Sequence, residues 1–391
     1  MKKSIVVSVL FASILSAQSL SDLYREVENS SLYKSRIEAI EADRRSAEAG
    51  RLSDGWSAGA DLAGAYPKDG SSSGGEFSVS ISKEFNLKRS ALARFMHYNK
   101  NYSELRKRVE LNRIKARIFR LYGEYCISKE ALNAQRYLAS IYKEMLKQID
   151  TGVRFGEFDV SKALMAHLAL ENLNLKIVDT ESRLRGLEGE ISSIIFFDSA
   201  AECSLEEFDS GYLLNPENSA FYPMLELKSR KMKEGLELSR SRIPGLELTA
   251  QYSDEIDTRR ATIGLSIPLS FGKRSEAERA AALHAYTAAR NEAAALKRAY
   301  ESSSEALLDR LNLYNTKVRL FESSINLTTD TLIEQSRIRF KAGEESLLSL
   351  LKATETKLQM IEALIGLKTK RHDAVSDFIE KYAIDPQGVI K

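Results

Sequence analysis

Four histidines, His97, His167, His284 and His372, are the side chains best able to bind a transition metal, and no two lie within a helical turn of each other. A zinc site needs three or four N, S or O ligands in close array, and the sequence spells out none. His97 and His284 stand 187 residues apart, near the starts of two long helical stretches, and read as polar positions on a helix face. Cys126 and Cys203 are the only cysteines. An oxidising compartment permits a bridge between them without requiring one, and their unlike contexts favour two separate thiols. No Gly-rich phosphate loop, Ser-His-Asp arrangement or carboxylate pair stands out, and the charge run ELRKRVELNRIKAR (104–117) reads as a solvated helix face. The expectation is a protein that is not an enzyme and that needs no cofactor and no metal.

With chemistry set aside, the patterning of the chain becomes the stronger signal. Residues 1–17 have a basic start at Lys2 and Lys3, an apolar run from Ile5 to Leu15 and small residues before Gln18, which predicts an export signal. That run is too short for a spanning helix, and no other stretch approaches the roughly 20 apolar residues such a helix needs. Without Lys2 and Lys3 the formal net charge falls from +2 to zero, which argues against nucleic acid as a partner.

The segment FSVSIS (77–82) alternates perfectly, placing Phe77, Val79 and Ile81 on one face of a strand and three serines on the other. Such a strand lies either on a soluble core or in an outer-membrane barrel with lipid on its apolar side. The pattern recurs in ATIGLSIPLSF (261–271), where Ile263, Leu265 and Ile267 share a face. Strands are predicted over about 55–66, 76–86, 245–252 and 261–271. Their lengths suit a tilted crossing of a bilayer, and Trp56, Tyr66, Phe85, Tyr252 and Phe271 stand at their ends like interfacial girdles. Four strands cannot close a barrel, so open edges against lipid would require copies of the chain to assemble.

The organisation appears twice. SVSISKEFNLKRS (78–90) lies over GLSIPLSFGKRSE (264–276), ENSSLY (28–33) over ENSAFY (217–222), and Gly156 with Ala166 over Gly343 with Ala353, at offsets of 186 to 189. A period this long reads as a duplicated unit of strand, strand, long helix and return helix. The fold class is mostly α with a small β part. Residues 18–195 form the first repeat, with a helical hairpin over about 88–195. Residues 196–216 form a linker, 217–382 the second repeat with its hairpin over about 274–382, and 383–391 a tail. Helices of about 20 residues are expected at 29–52 and 217–242. Residues 88–150 hold no proline and place Ile114, Ile118, Leu121 and Tyr125 at steps of three and four, as a very long helix requires. The turns IDTGVRFGE (149–157) and RFKAGEE (339–345) reverse the chain into antiparallel coiled coils.

These features resemble the TolC-like outer-membrane efflux channel family. The resemblance rests on the duplicated unit, on SIPLSFGKR (266–274) and on FKAGEESLLSLLKA (340–353), which matches an aromatic-x-x-Gly-x-x-Ser turn through Phe340, Gly343 and Ser346, then Leu350, Leu351 and Ala353. The first copy, VRFGEFDVSKALMA (153–166), has Val153 in place of the aromatic. The resemblance implies a homotrimer in the outer membrane: a shared 12-stranded barrel against outer-membrane lipid, continued by a helical tunnel into the periplasm. It implies passive efflux with a periplasmic adaptor and an inner-membrane pump of RND or ABC type. A type I protein-secretion conduit and a non-pore periplasmic coiled-coil scaffold remain the alternatives. It also implies adaptor docking at the tips, Arg154, Phe155, Gly156 and Glu157 with Lys341, Ala342, Gly343 and Glu344. Helical spacing puts Glu345, Ser349, Lys352 and Thr356 on one stripe above the second tip, with Lys162 equivalent to Ser349. Members carry acidic constriction residues six and nine positions after the turn glycine, where this chain has Ser349 and Lys352.

Overall fold

The computed structural model describes residues 18–52, 55–65, 74–156, 159–198, 203, 208–240, 243, 245–255, 258–267, 273–344 and 346–390. The predicted export signal, Tyr66, Glu157, Pro268, Phe271 and Glu345 lie outside them. Helices dominate, as the scarcity of proline dictates. The helix α1 (Leu20–Asn29) begins at a capping box in which the Ser19 hydroxyl accepts from the Asp22 N–H and the Asp22 carboxylate accepts from the Ser19 N–H. Ser30 then caps α2 (Ser31–Ala49), so the leading helix expected at 29–52 is the second of two. The strands β1 (Trp56–Ala65) and β2 (Gly74–Asn86) lead into α3 (Arg89–Arg154), 66 residues without a break. At 1.5 Å per residue that is about 100 Å. Helix α4 (Val160–Ser192) returns along it. The linker holds the short helix α5 (Ser210–Leu214), and α6 (Phe221–Ser239) precedes β3 (Gly245–Asp254) and β4 (Arg259–Ser266).

The second long helix differs from expectation. Helix α7 (Lys273–Leu320) is separated from α8 (Asn326–Lys341) by a π turn, Phe321–Ile325, before α9 (Leu347–Tyr382) returns. FESSI has no glycine or proline to announce the change. An ionic knot ties this region together: the Lys368 ammonium on α9 reaches Glu322 in the π turn at 2.9 Å and Glu130 on α3 at 2.7 Å.

One antiparallel sheet runs in the order β1-β2-β3-β4. Below it, two main hydrophobic clusters hold the helices. The first joins α1, α3, the end of α4, α7 and α9 through Leu23, Tyr24, Ile118, Phe119, Tyr300 and Ile379. The second joins the four hairpin arms near their tips through Leu138, Ile149, Leu173, Ile333 and Leu350. Each such buried side chain contributes about 1.5–3 kcal/mol.

Three packing features gave no sequence signal. Cys126, buried on α3, and Cys203 in the linker form a disulfide with Cα atoms 5.3 Å apart, which corrects the expectation of separate thiols. The segment after α9 is a packed strap. Ile384 and Val389 are fully buried, Ile384 bridges to Ser219 and Ile390 to Phe208, and Ala383 adopts φ 48° while its carbonyl accepts from the buried Asn112 side chain at 2.8 Å. His372 lies in the helix interface, where a Cβ at Gly123 would overlap its ring. Its Nε2 lies 3.1 Å from the carbonyl oxygens of both Phe119 and Arg120, which accept from it, and among the described residues Nδ1 has no partner. Burial, helped by Arg371 and Arg120, therefore pushes this imidazole down to about 4.

Two predictions follow from this packing. The Cys126→Ser, Cys203→Ser double variant, or added reductant, should lower unfolding stability by about 2–5 kcal/mol, read by denaturant titration with and without dithiothreitol. For His372 the unfolded chain binds the proton first, so its contribution is complete above about pH 6.5 and is lost as the pH falls toward 4. The total is on the order of 3 kcal/mol. His372→Gln should flatten that part of the stability–pH curve, and an unchanged slope would assign it to other groups.

Candidate functional site

The sheet separates two kinds of surface by register alone. Pairing sets Trp56 against Lys83, Ala58 against Ile81, Ala60 against Val79 and Leu62 against Phe77; across β2 and β3 it sets Lys83 against Leu248 and Ile81 against Ala250; across β3 and β4 it sets Leu248 against Leu265 and Ala250 against Ile263. Alternation therefore places Phe77, Val79, Ile81, Ile263 and Leu265 on one face, with Trp56, Leu62, Phe85, Leu248 and Tyr252. Ile267 follows β4 and lies outside the strand. No described element covers this face. Leu62 is 84% exposed, Ile263 82%, Trp56 67% and Leu265 62%. Exposure on this scale across contiguous apolar residues marks a surface that meets something apolar.

The other face carries Ser57, Asp61, Ser78, Ser80, Ser82, Thr249, Gln251, Ser253 and Thr262. The hydroxyls of Ser57 and Ser82 meet at 2.6 Å, and Ser78 donates to Asp61. Glu84 and Glu247 pair directly across this face, an arrangement of like charges that costs stability in a sheet. The outer edges of β1 and β4 have no strand partner among the described residues. Aromatic rings sit toward both ends of the apolar face, Trp56 and Phe85 at the helix end, Phe77 and Tyr252 at the loop end. From Phe77 to Phe85 is about 27 Å along the strand, or about 20 Å of depth at a tilt of about 40°.

At the far end of the helices the two turns are built alike. Gly156 and Gly343 adopt φ 76° and 74°, a backbone region open to glycine and strained for other residues. The Gly156 N–H donates to the Val153 carbonyl at 3.0 Å, and the Glu344 N–H closes a longer turn onto the Arg339 carbonyl at 2.9 Å. Asp159 caps α4 and Ser346 caps α9. The shared apolar cluster, with Ile149 and Ala163 beside Phe340 and Leu347, brings the two tips together. Phe155 is 76% exposed at the first tip. Arg154 ends α3, and Ala342 and Glu344 are exposed in the second turn. Lys341 is tied to Glu144 of α3 at 3.5 Å.

Of the stripe above the second tip, Ser349 serves the cap, its N–H and hydroxyl both meeting the Ser346 hydroxyl. Lys352 is exposed on the side of α9 opposite Leu350, Ala353 and Thr354, and Lys162 is exposed on α4. Among the described residues no group of three metal-ligating side chains comes together; His97 meets Asn101 and His167 meets Asp150. No helix of the described residues is long and apolar enough to cross a membrane. Sequence reasoning missed the ionic ties between hairpin arms, such as Lys357 with Asp330 at 2.9 Å, because nothing marks a lysine as buried until its partner helix is placed.

The strand faces give the sharpest test. Ile81→Arg or Leu265→Arg should each disfavour assembly in a membrane by roughly 2–4 kcal/mol near the midplane, whereas Arg at Ser80 should be tolerated and change conductance. Heat-stable oligomer on gels and single-channel current read the two effects, and equal tolerance on both faces would rule out a lipid-facing side.

No protein family and no curated protein matches the chain by sequence. Solved structures do match by shape. The outer-membrane protein VceC of Vibrio cholerae superposes with a TM-score of 0.73 at 14% identity, covering 95% of this chain and 96% of that one. The CmeC outer-membrane channel of Campylobacter jejuni gives 0.72 at 15%, covering 95% and 86%. The open state of the MtrE outer-membrane channel of Neisseria gonorrhoeae gives 0.73 at 12%, covering 93% and 88%. The mostly helical chain with its small antiparallel sheet has the fold of the TolC-like outer-membrane channels, over more than nine-tenths of its length.

Proposed function

We infer that the chain forms the outer-membrane channel of a tripartite efflux system, conducting exported solutes passively from an inner-membrane pump and periplasmic adaptor to the exterior. The observation that carries this reading is the continuous apolar face of the sheet, uncovered across four strands and edged by aromatic rings. In water such a face is costly; against acyl chains it is the stable arrangement. A lipid-facing sheet cannot leave the edges of β1 and β4 unsatisfied, so copies of the chain join edge to edge. Three copies give a 12-stranded barrel whose hydroxyl face lines water, and two hairpins per chain carry the wall about 100 Å into the periplasm. The repeated order of strand pair and helical hairpin lets each half supply an equivalent sixth of that wall. Energy comes from the pump, of RND or ABC type.

The paired tips are the surface for an adaptor. Phe155, an exposed aromatic beside a helix end, is the side chain an adaptor hairpin would bury. Phe155→Ala leaves the Gly156 turn intact and should abolish efflux without reducing the amount of trimer. Cysteine placed at position 155 should crosslink to the adaptor, and absence of a crosslink from every tip position would remove docking there.

Lys352 and Lys162 give the periplasmic mouth rings of ammonium groups where the family resemblance implies carboxylates. A cationic ring repels multivalent cations. The purified protein in a planar bilayer should open a conductance that trivalent cations block poorly, and Lys352→Asp should introduce block. A protein that inserts and gives no conductance would be a scaffold; strong block unchanged by Lys352→Asp would place Lys352 away from the lumen.

A further inference from the structure

One cation stands at the helix end of the apolar face. Lys83 lies in the cross-strand row Trp56, Lys83, Leu248, Leu265, three residues before β2 ends and six before α3 begins. Its ammonium stands 4.7 Å from the centre of the Trp56 ring and 5.2 Å from that of Phe85. Charges at the other end of the same face neutralise each other, since Asp254 meets Arg259 at 3.5 Å. Among the described residues Lys83 has no carboxylate partner, and the two acidic residues nearest in register, Glu84 and Glu247, point to the opposite face.

A lysine whose ammonium stands near two aromatic rings, with exposed Leu248 and Leu265 in the same row, is arranged to hold its charge at the level where acyl chains give way to headgroups. We propose that Lys83, with Trp56 and Phe85, forms a binding site for the phosphodiester headgroup of an anionic phospholipid in the leaflet that faces the helical part of the protein. This rests on the membrane reading above. The Lys83 ammonium pairs with the phosphate, the Trp56 indole N–H is the adjacent donor, and Leu248 and Leu265 receive the first methylenes of an acyl chain. The preference for a net anionic lipid comes from the missing carboxylate: the cationic end of a zwitterionic headgroup finds no counter-charge on this face.

The chain contains a single tryptophan, so its emission reports this one place. The protein is reconstituted into vesicles of mixed phosphatidylglycerol and phosphatidylcholine in which either the anionic or the zwitterionic lipid carries brominated acyl chains, and quenching of Trp56 measures which lipid is in contact. The site predicts a preference of about fivefold for the anionic lipid, the size expected of one lysine at an anionic lipid surface. The preference should persist in Lys83→Arg and vanish in Lys83→Gln. Equal quenching by the two lipids in the unmodified protein would overturn the site while leaving the barrel in place. No quenching by either would put Trp56 outside lipid and overturn both readings. Inorganic phosphate should leave the emission unchanged, and a response to it would assign the site to a free anion instead of a lipid.

Discussion

Burial along α3 is the interaction on which the rest of the molecule depends. A helix of 66 residues standing alone in water would gain nothing from its apolar side chains, so its stripe must be covered along the whole length. No single element is long enough to do it. Helices α2 and α6 pack on the part nearest the strands, α1 and α9 on the middle, and α4 follows the lower half to the tip. The order of these partners along one axis sets the heights of the sheet, the linker and the tips.

The middle of α3 is where the covering is tightest, and polar groups are accepted there under strict conditions. Gly123 makes room for the ring of His372, which is held by two carbonyls of the same helix. Asn112 holds the carbonyl of Ala383 in its left-handed conformation, a strained backbone kept in place by its surroundings. Lys115 is almost wholly buried and reaches Glu28 at its surface end. The Asn112 contact ties the strap after α9 to the long helix, and the strap's own bridges tie it to Phe208 in the linker and to Ser219 just before α6. The two-faced sheet at one end and the paired tips at the other are thus joined through a belt in which specific polar contacts are set among the apolar side chains of the first cluster.

What the sequence disclosed follows from periodicity. FSVSIS and ATIGLSIPLSF alternate because one side of each strand meets a different medium from the other, and that contrast is written residue by residue. The long helices appear as an absence of proline with apolar steps of three and four, and Gly156 and Gly343 as the residues able to take a positive φ. The box Ser19-Leu-Ser-Asp22 could have announced α1, a local signal that the longer pattern at 29–52 overshadowed. The remainder is tertiary. A disulfide across 77 residues needs the folded path of the chain, the π turn at Phe321–Ile325 has no local marker, and the tail from Ala383 to Ile390 is too short to show a period, so its bridges to Phe208 and Ser219 appear only in the fold. The tip and strand-face residues were readable as positions, because a positive-φ turn and a two-sided strand each leave a local mark.

The bond between Cys126 and Cys203 gives the two hairpins different mechanical characters. It closes the lower part of α3, the first tip and all of α4 into a covalent ring with its cysteines 77 residues apart, while the second hairpin contains no cysteine at all. Tension applied along the chain would pass across the bond and leave the ring unloaded, withholding about 270 Å of contour length from extension. The second hairpin would resist the same pull only through side-chain packing and ion pairs, and would unzip first. Within one chain an inextensible arm thus stands beside an arm that can peel apart.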